Sequence, residues 1–122
     1  MGQSYKDLIA WQKAMTLVTE IYRGTRSFPR EEIYGLTSQL RRAAVSVPSN
    51  IAEGQARHSQ KEFKLFLSHA RGSLVEVETQ LIISQNLSYF SDEEAKRLLA
   101  LAAELGRILN GLMGAIKLRT EN

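Results

Sequence analysis

Apolar residues recur every three or four positions in four segments of the chain, which is the period of helices with one buried face. The predicted inward-facing stripes are Leu8, Trp11, Met15, Val18 and Tyr22; then Leu36, Leu40, Ala43, Val47, Ile51 and Gly54; then Phe63, Leu67, Ala70, Leu74, Val77 and Leu81; and finally Ala95, Leu98, Ala102, Leu105, Leu109, Leu112 and Ile116. The alternating pattern of a strand does not occur over any useful length. Because the turns between the segments are short, we expect one domain over residues 1–122, an all-α antiparallel four-helix bundle with up-down-up-down topology.

Capping boxes mark the starts of the third and fourth predicted helices. Ser59 is followed three positions later by Glu62, and Ser91 by Glu94. This pattern supplies acceptors for the free N–H groups of a first helical turn. We expect the first helix over residues 4–25, the second over 36–55, and the third to run to about residue 87.

The stretch RRAAVSVPSNIAEGQAR places a proline inside the second predicted helix. Pro48 removes one backbone hydrogen bond and clashes with the carbonyl four residues earlier, at a cost of about 3 kcal/mol. The apolar register nevertheless continues through it, so we expect one helix bent at Pro48, with two short helices as the alternative. Gln39, Ser46 and Asn50 border the apolar face, and we expect this polar seam to meet a neighbouring subunit or nucleic acid.

The apolar arcs of the third and fourth helices are wider than the stripe of about 100° that a core-facing helix needs. The additional apolar positions are Leu65, Phe66, Val75, Ile82 and Ile83 on the third helix, and Leu99, Leu101, Ile108 and Met113 on the fourth. Because large exposed apolar patches mark interaction sites, we expect a homo-oligomer that buries part of this surface.

The formal net charge is +3, and residues 1–30 hold this whole excess, since five basic residues there face two acidic ones. Such an excess permits nucleic-acid binding without requiring it. The candidate nucleic-acid-binding residues are Arg41, Arg42, Arg57, Lys61, Lys64 and Arg71. Spacings of four, three and seven positions predict that the last four line one side of the start of the third helix. The competing interpretation is a solvated face whose cations pair with Glu53 and Glu62.

Catalytic and metal-binding patterns are missing from the sequence. His58 and His69 lie eleven positions apart, whereas a ligand pair on one helix needs a spacing of three or four. None of the glutamates starts the Glu-x-x-His pattern that di-iron bundles use. Nucleophile motifs and phosphate-binding glycine loops are also missing. We therefore expect no enzyme activity, no catalytic residues, no cofactor and no metal.

The absence of cysteine excludes disulfides and thiolate metal sites, and it fits a reducing compartment. No apolar run approaches the roughly 18 residues of a membrane span. The first residues also lack the apolar core of a signal peptide. We expect a cytoplasmic protein without membrane contact.

Three stretches carry a family resemblance: YKDLIAWQKA (5–14), FPREEIYGLTSQLRRAAVSVPSNIAEG (28–54) and KEFKLFLSHARGSLVEVETQL (61–81). They resemble the four-helix-bundle proteins encoded in intervening sequences of bacterial 23S rRNA genes, also labelled S23 proteins. The same family includes the accessory variability determinant of diversity-generating retroelements. The resemblance covers nearly the whole chain and loosens after about residue 87.

The resemblance implies an antiparallel bundle that assembles into a homopentameric ring with a basic surface. It favours Arg41, Arg42 and Arg57 as basic positions typical of the family. In the retroelement branch it also implies binding to a reverse transcriptase and to nucleic acid. In the intervening-sequence branch it implies no catalytic activity.

These observations together predict a non-enzymatic homo-oligomer, a pentamer by resemblance, that binds RNA or DNA nonspecifically through basic residues. The alternative is a protein–protein adaptor, for example to a reverse transcriptase, for which nucleic acid is incidental.

Overall fold

The computed structural model describes residues 4–116, which form four α-helices and no β-strand. The helices are α1, Ile9–Thr25; α2, Leu36–Ala56; α3, Gln60–Asn86; and α4, Asp92–Ala115. Each helix packs against its neighbours in the chain, and α1 also packs against α4. The four helices therefore enclose one core, which confirms the predicted all-α four-helix bundle.

The buried faces of α2, α3 and α4 are the ones that the apolar spacing predicted. Nearly every residue of these three stripes is buried; Leu36, Phe63 and Leu112 are half-buried and pack against the core. The interface between α2 and α3 is the most extensive of the bundle. Gly54 lies in it, and a Cβ there would come within 2.7 Å of Phe66 Cβ. Only glycine therefore lets α2 approach α3 this closely at that point.

The predicted inward stripe of α1 is wrong by one position. Its buried residues are Ala10, Ala14, Leu17, Ile21 and Thr25. Met15 and Tyr22, from the predicted stripe, are 39% and 40% exposed. The face with two alanines lies inward because small side chains let α1 approach the other helices, and the larger residues next to it cover the edge of the core.

The first helix also begins later than expected. A single 3₁₀ turn covers Tyr5–Asp7, and the Ser4 hydroxyl caps it by accepting a hydrogen bond from the Lys6 N–H at 3.1 Å. Leu8 is then extended, with φ −74° and ψ 128°, so that α1 starts only at Ile9.

Pro48 lies inside α2, which is one continuous helix through it. This excludes the alternative of two short helices and confirms that the apolar register passes through the proline. Pro48 is itself buried. The bend at this position stays a prediction.

The predicted capping boxes are confirmed at both helix starts. The hydroxyls of Ser59 and Ser91 accept hydrogen bonds from the N–H groups of Glu62 and Glu94, at 3.2 and 3.1 Å. These bonds set the N-terminal ends of α3 and α4.

The C-terminal end of α3 is a Schellman motif. The Tyr89 N–H donates to the Ser84 carbonyl and the Ser88 N–H to the Gln85 carbonyl, both at 2.9 Å. Ser88 has φ 62°, in the left-handed region that glycine usually occupies in this motif.

Among the described residues, one helix, α4, is long and apolar enough to cross a membrane. A core helix of a soluble bundle has the same properties, and here the apolar stripe of α4 is buried against the other helices.

Candidate nucleic-acid interface

The six basic candidates lie along the length of the bundle and form no single patch. Arg57 follows α2 as its C-terminal cap, and Lys61 and Lys64 lie in the first turns of α3, at the same end. Arg41 lies 16 residues before Arg57, which corresponds to about 24 Å along the helix axis. Arg71 lies further along α3.

Of the predicted basic line at the start of α3, Arg57 lies just before the helix and contacts its first turns at Glu62 and Phe66. The Ser59 cap starts α3 at Gln60, so Arg57 belongs to the turn before that helix. Lys61, Lys64 and Arg71 remain as the cations on α3 itself.

Arg57 is paired with acids on both sides. Its Nη2 lies 2.8 Å from Glu53 Oε2, and its Nη1 lies 3.5 Å from Glu62 Oε1. Its guanidinium also lies 4.8 Å from the centroid of the Phe66 ring. Arg57 therefore connects the end of α2 to the start of α3, as the solvated-face interpretation expected for this residue.

Arg41 joins α2 to the end of α1. Its Nε donates to Thr25 Oγ1 at 2.8 Å, and its Nη2 donates to the Tyr22 carbonyl at 3.3 Å. Its guanidinium lies 4.6 Å from the centroid of the Tyr22 ring. These contacts hold the Arg41 side chain in one position.

The other four candidates keep their charges unpaired. Within residues 4–116, no carboxylate oxygen lies within 4.0 Å of Arg42, Lys61, Lys64 or Arg71. Lys64 is half-buried and the other three are exposed. They are therefore the candidates with positive charge available for phosphate groups.

The polar seam of α2 meets α3 of the same chain at Ser46, and Asn50 bonds to Ser46 within α2. Ser46 Oγ shares a hydrogen bond of 2.8 Å with Ser73 Oγ. Asn50 Nδ2 donates to the Ser46 carbonyl at 2.8 Å and to Ser46 Oγ at 3.0 Å. The expectation that the seam faces another subunit or nucleic acid is wrong for Ser46, because Ser73 of the same chain satisfies its hydroxyl; for Asn50 it stays a prediction.

Arg42 lies beside this seam, in a shallow cleft of about 310 Å³. Gln39, Glu76 and Gln80 also line it. The Gln80 Oε1 atom is buried and accepts no hydrogen bond within the described part of the chain. The cleft thus holds one cation, one acid and two amides, and it has no strong charge of one sign.

The outer face of α3 carries an uncharged stripe opposite the core. Its residues follow alternating spacings of three and four: Leu65, Ser68, Gly72, Val75, Thr79, Ile82 and Asn86, all exposed. Leu65, Val75 and Ile82 are 52%, 48% and 46% exposed. We call these seven residues the outer stripe.

Most of the additional apolar side chains predicted on α3 are therefore exposed, whereas those predicted on α4 pack against the core of the bundle. Leu99, Leu101, Ile108 and Met113 of α4 are half-buried and pack against the core. Phe66 of α3 is also half-buried, and its ring lies edge-on to the His69 ring with 5.6 Å between centroids.

An apolar groove of about 290 Å³ lies between α1 and α2. Trp11, Met15, Val18 and Val45 line it together with Pro48. The apolar residues predicted to face the core from α1 thus line a surface groove instead.

A second group of basic residues lies where α1 connects to α2. Of its members, only Arg41 is among the six candidates. Arg26, Arg30 and Arg41 line a cleft of about 410 Å³ there. The sequence indicates this basic group through the closely spaced arginines of the segment RGTRSFPR. Arg26 and Arg30 line one cleft with Arg41 only because α2 folds back against α1.

Glu32, an acid on the same connection, forms hydrogen bonds with other residues than these arginines. Glu32 accepts hydrogen bonds from the Leu36 N–H at 3.0 Å and from the Tyr89 hydroxyl at 2.9 Å. These bonds lower the pKa of Glu32, the backbone bond most strongly. The bond from Tyr89 to the carboxylate also raises the pKa of Tyr89.

Groups of three or more potential metal ligands do not occur among residues 4–116. His58 and His69 are both exposed.

Residues 6–111 match the family model described as "23S rRNA-intervening sequence protein". The match spans most of the chain, and the protein belongs to this family. Among solved structures, the chain resembles a protein of unknown function from the S23 ribosomal protein family from Bacteroides thetaiotaomicron VPI-5482. The two are 18% identical, with a TM-score of 0.78 over 86% of this chain and 98% of that one, so the likeness shows a shared fold. No curated protein matches the sequence.

These comparisons confirm the family that the sequence resembled. The relation to the accessory variability determinant of retroelements stays a prediction.

Proposed function

We propose that this protein is a non-enzymatic homo-oligomer that binds RNA or DNA nonspecifically. The observation that carries the proposal is a set of four cations without an ion-pair partner in the described part of the chain, Arg42, Lys61, Lys64 and Arg71. Each cation that contacts a phosphate releases counterions, which makes such binding favourable at low salt and independent of sequence. Arg41 and Arg57 support the fold instead, so they are not part of the proposed interface.

The outer stripe of α3 supports self-association. Seven exposed positions in heptad spacing carry no charge, and apolar side chains occupy three of them. Such a stripe on the face opposite a helix's own core matches the surface through which another helix packs. The resemblance implies five copies.

Assembly strengthens the nucleic-acid proposal, since one copy offers few phosphate contacts. In a homo-oligomer the same cations repeat in every subunit. A bound strand that reaches a second subunit does so at high effective concentration, and weak contacts combine into measurable affinity.

The test is the salt dependence of RNA binding, measured by fluorescence anisotropy with a structured RNA. The double variant Lys61→Gln/Arg71→Gln should bind more weakly, and the slope of log K against log[salt] should fall by roughly 0.7–0.9 for each lost phosphate contact. The matched control is Lys96→Gln/Arg107→Gln, which removes one exposed lysine and one exposed arginine from α4.

Two results would overturn the nucleic-acid proposal. One is the absence of binding at about 50 mM salt, or binding that does not weaken as salt rises. The other is an equal loss in both double variants, which would assign the effect to net charge alone.

The groove between α1 and α2 favours a second candidate, an adaptor that binds another protein such as a reverse transcriptase. Trp11 and Val45 offer an apolar surface there without an unpaired cation in its lining. Capture of that partner should survive nuclease treatment and be lost in Val45→Lys. Capture that nuclease abolishes would contradict the adaptor function.

A further inference from the structure

The cleft at the connection between α1 and α2 is lined by three arginines and two threonines. These residues are Arg26, Arg30, Arg41, Thr25 and Thr37. Within the described residues no carboxylate lines the cleft. Its volume of about 410 Å³ is large enough for a phosphate group with part of the molecule that carries it.

Arg41 is a fixed donor at this cleft. A guanidinium has five N–H groups, and Arg41 uses one toward Thr25 Oγ1 and one toward the Tyr22 carbonyl. The remaining three are uncommitted among residues 4–116. Because the side chain is already held against the Tyr22 ring, little conformational entropy is lost when it binds an anion.

Arg26 and Arg30 are not needed to neutralise the end of α1. The last four carbonyls of a helix need outside donors, and here every one has a donor. Tyr22 O accepts from Arg41 Nη2, Arg23 O from Arg26 N, Gly24 O from Ser27 Oγ and Thr25 O from Phe28 N. The guanidinium groups of Arg26 and Arg30 are therefore free of a capping role.

The acids near the cleft do not neutralise these arginines either. Both carboxylate oxygens of Glu32 are engaged, by the Leu36 N–H and the Tyr89 hydroxyl. Neither Arg26 nor Arg30 has a carboxylate oxygen within 4.0 Å in the described part of the chain. Thr37 lies in the first turn of α2, whose dipole is positive at that end, while Thr25 ends α1, whose dipole is negative there.

We propose that this cleft binds a terminal phosphate, a phosphate monoester such as that of a nucleotide or of a nucleic-acid end. A monoester offers three acceptor oxygens and close to two negative charges, which suits a cleft lined by three arginines, whereas an internal diester offers two oxygens and one charge. Arginine also binds phosphate through paired N–H groups. Pro29 and Ile33 line the same cleft and provide an apolar edge for the rest of the ligand.

None of the four proposed RNA-binding cations lines this cleft. Lys61 lies at the opposite end of the bundle, beside the α2–α3 turn. The loss of one kind of binding therefore leaves the other testable.

The test is calorimetry with inorganic phosphate and with a nucleoside 5′-monophosphate, together with anisotropy on one RNA sequence carrying either a 5′-phosphate or a 5′-hydroxyl. The variant Arg26→Gln/Arg30→Gln should weaken binding of the monoester at least about tenfold. The matched control Lys96→Gln/Arg107→Gln removes two exposed cations that neither line the cleft nor belong to the proposed RNA interface, and it should retain that binding. Thermal unfolding of both variants checks that the fold is intact.

The calorimetry and the anisotropy measurements together distinguish a nucleic-acid end from a small free phosphate ligand. Preference for the 5′-phosphorylated RNA, lost in Arg26→Gln/Arg30→Gln, supports a nucleic-acid end as the ligand. Binding of nucleotide or phosphate with equal affinity for the two RNAs supports a small free ligand in the same cleft. No saturable binding by phosphate, nucleotide and 5′-phosphorylated RNA, or equal loss in both double variants, would overturn the proposal.

Discussion

The hydroxyl of Tyr89 donates a hydrogen bond of 2.9 Å to Glu32, which joins the α1–α2 connection to the α3–α4 connection. The other oxygen of the same carboxylate accepts from the Leu36 N–H, at the first residue of α2. One ionised side chain thus caps a helix and holds two connections together. These two bonds favour the ionised form of Glu32, since they lower its pKa.

Glu32 should make the stability of the fold depend on pH in the acidic range. Its pKa is lowered in the folded protein. Its contribution is therefore present above the pKa of the unfolded chain, about 4.3, and is lost as the pH falls through the lower folded pKa. Glu32→Gln should unfold at lower urea concentration at neutral pH, and the difference from the native protein should shrink under acid.

The control for this prediction is Glu31→Gln, since Glu31 is an exposed carboxylate on the same connection. Tyr89→Phe should reproduce part of the Glu32→Gln loss because it removes one of the two bonds. Equal pH profiles for the native protein and Glu32→Gln would contradict the role of the carboxylate.

Ser88→Gly should stabilise the protein. Ser88 holds φ 62° at the end of α3, and a side chain in this region costs about 1 kcal/mol that glycine avoids. We expect the free energy of unfolding, measured by urea denaturation, to rise by up to that amount. Ser68→Gly, within α3, should instead lower it by about 0.5 kcal/mol. A loss of stability in Ser88→Gly would show that the serine is not strained.

Gly54→Ala should destabilise the α2–α3 interface. The new methyl group would lie 2.7 Å from Phe66 Cβ and 3.1 Å from Phe63 Cδ1. Because a Cβ atom moves only with its backbone, α3 must shift, and we expect a loss of about 1–3 kcal/mol in the free energy of unfolding.

The matched control is Gly111→Ala in α4, where a Cβ meets no atom within 4 Å. This change should be neutral or stabilise the helix by up to about 1 kcal/mol. If both substitutions behave alike, the close approach at Gly54 does not limit packing.

Val75→Lys should weaken self-association, since it places a charge at the middle of the outer stripe. We expect the dissociation constant of the oligomer to rise at least about tenfold, as measured by light scattering over a range of concentrations. Ala100→Lys is the control, because it adds the same charge to an exposed position of α4. A native protein that is monomeric at all accessible concentrations would contradict assembly through this stripe.

The elements that could be predicted from the sequence depend on local patterns. The register of α2 through Pro48 and the caps at Ser59 and Ser91 need only neighbouring residues, and all three are confirmed. The inward face of α1 could not be chosen in this way, because its alanine face and its large apolar face lie one position apart. Which of them turns inward depends on how closely the other helices approach.

The candidate site was harder to predict because pairing decides which cations are available. The Arg57–Glu53 pair is four residues apart on the chain and follows from spacing. The contacts of Arg41 with Tyr22 and Thr25 span sixteen residues or more and arise only when α1 packs against α2. The cleft with Arg26 and Arg30 has the same origin.

The two ends of the bundle differ in the contacts that stabilise their connections. At one end Phe28 packs against Tyr89 and Phe90, with ring centroids 5.2 and 4.9 Å apart, beside the Glu32–Tyr89 bond. At the other end the α2–α3 turn is held by the exposed ion pairs of Arg57, which contribute little in water. Local unfolding should therefore begin at the end that carries Lys61 and Lys64, so that these two of the four proposed RNA-binding residues lie on the part of the fold best able to adjust to an irregular strand.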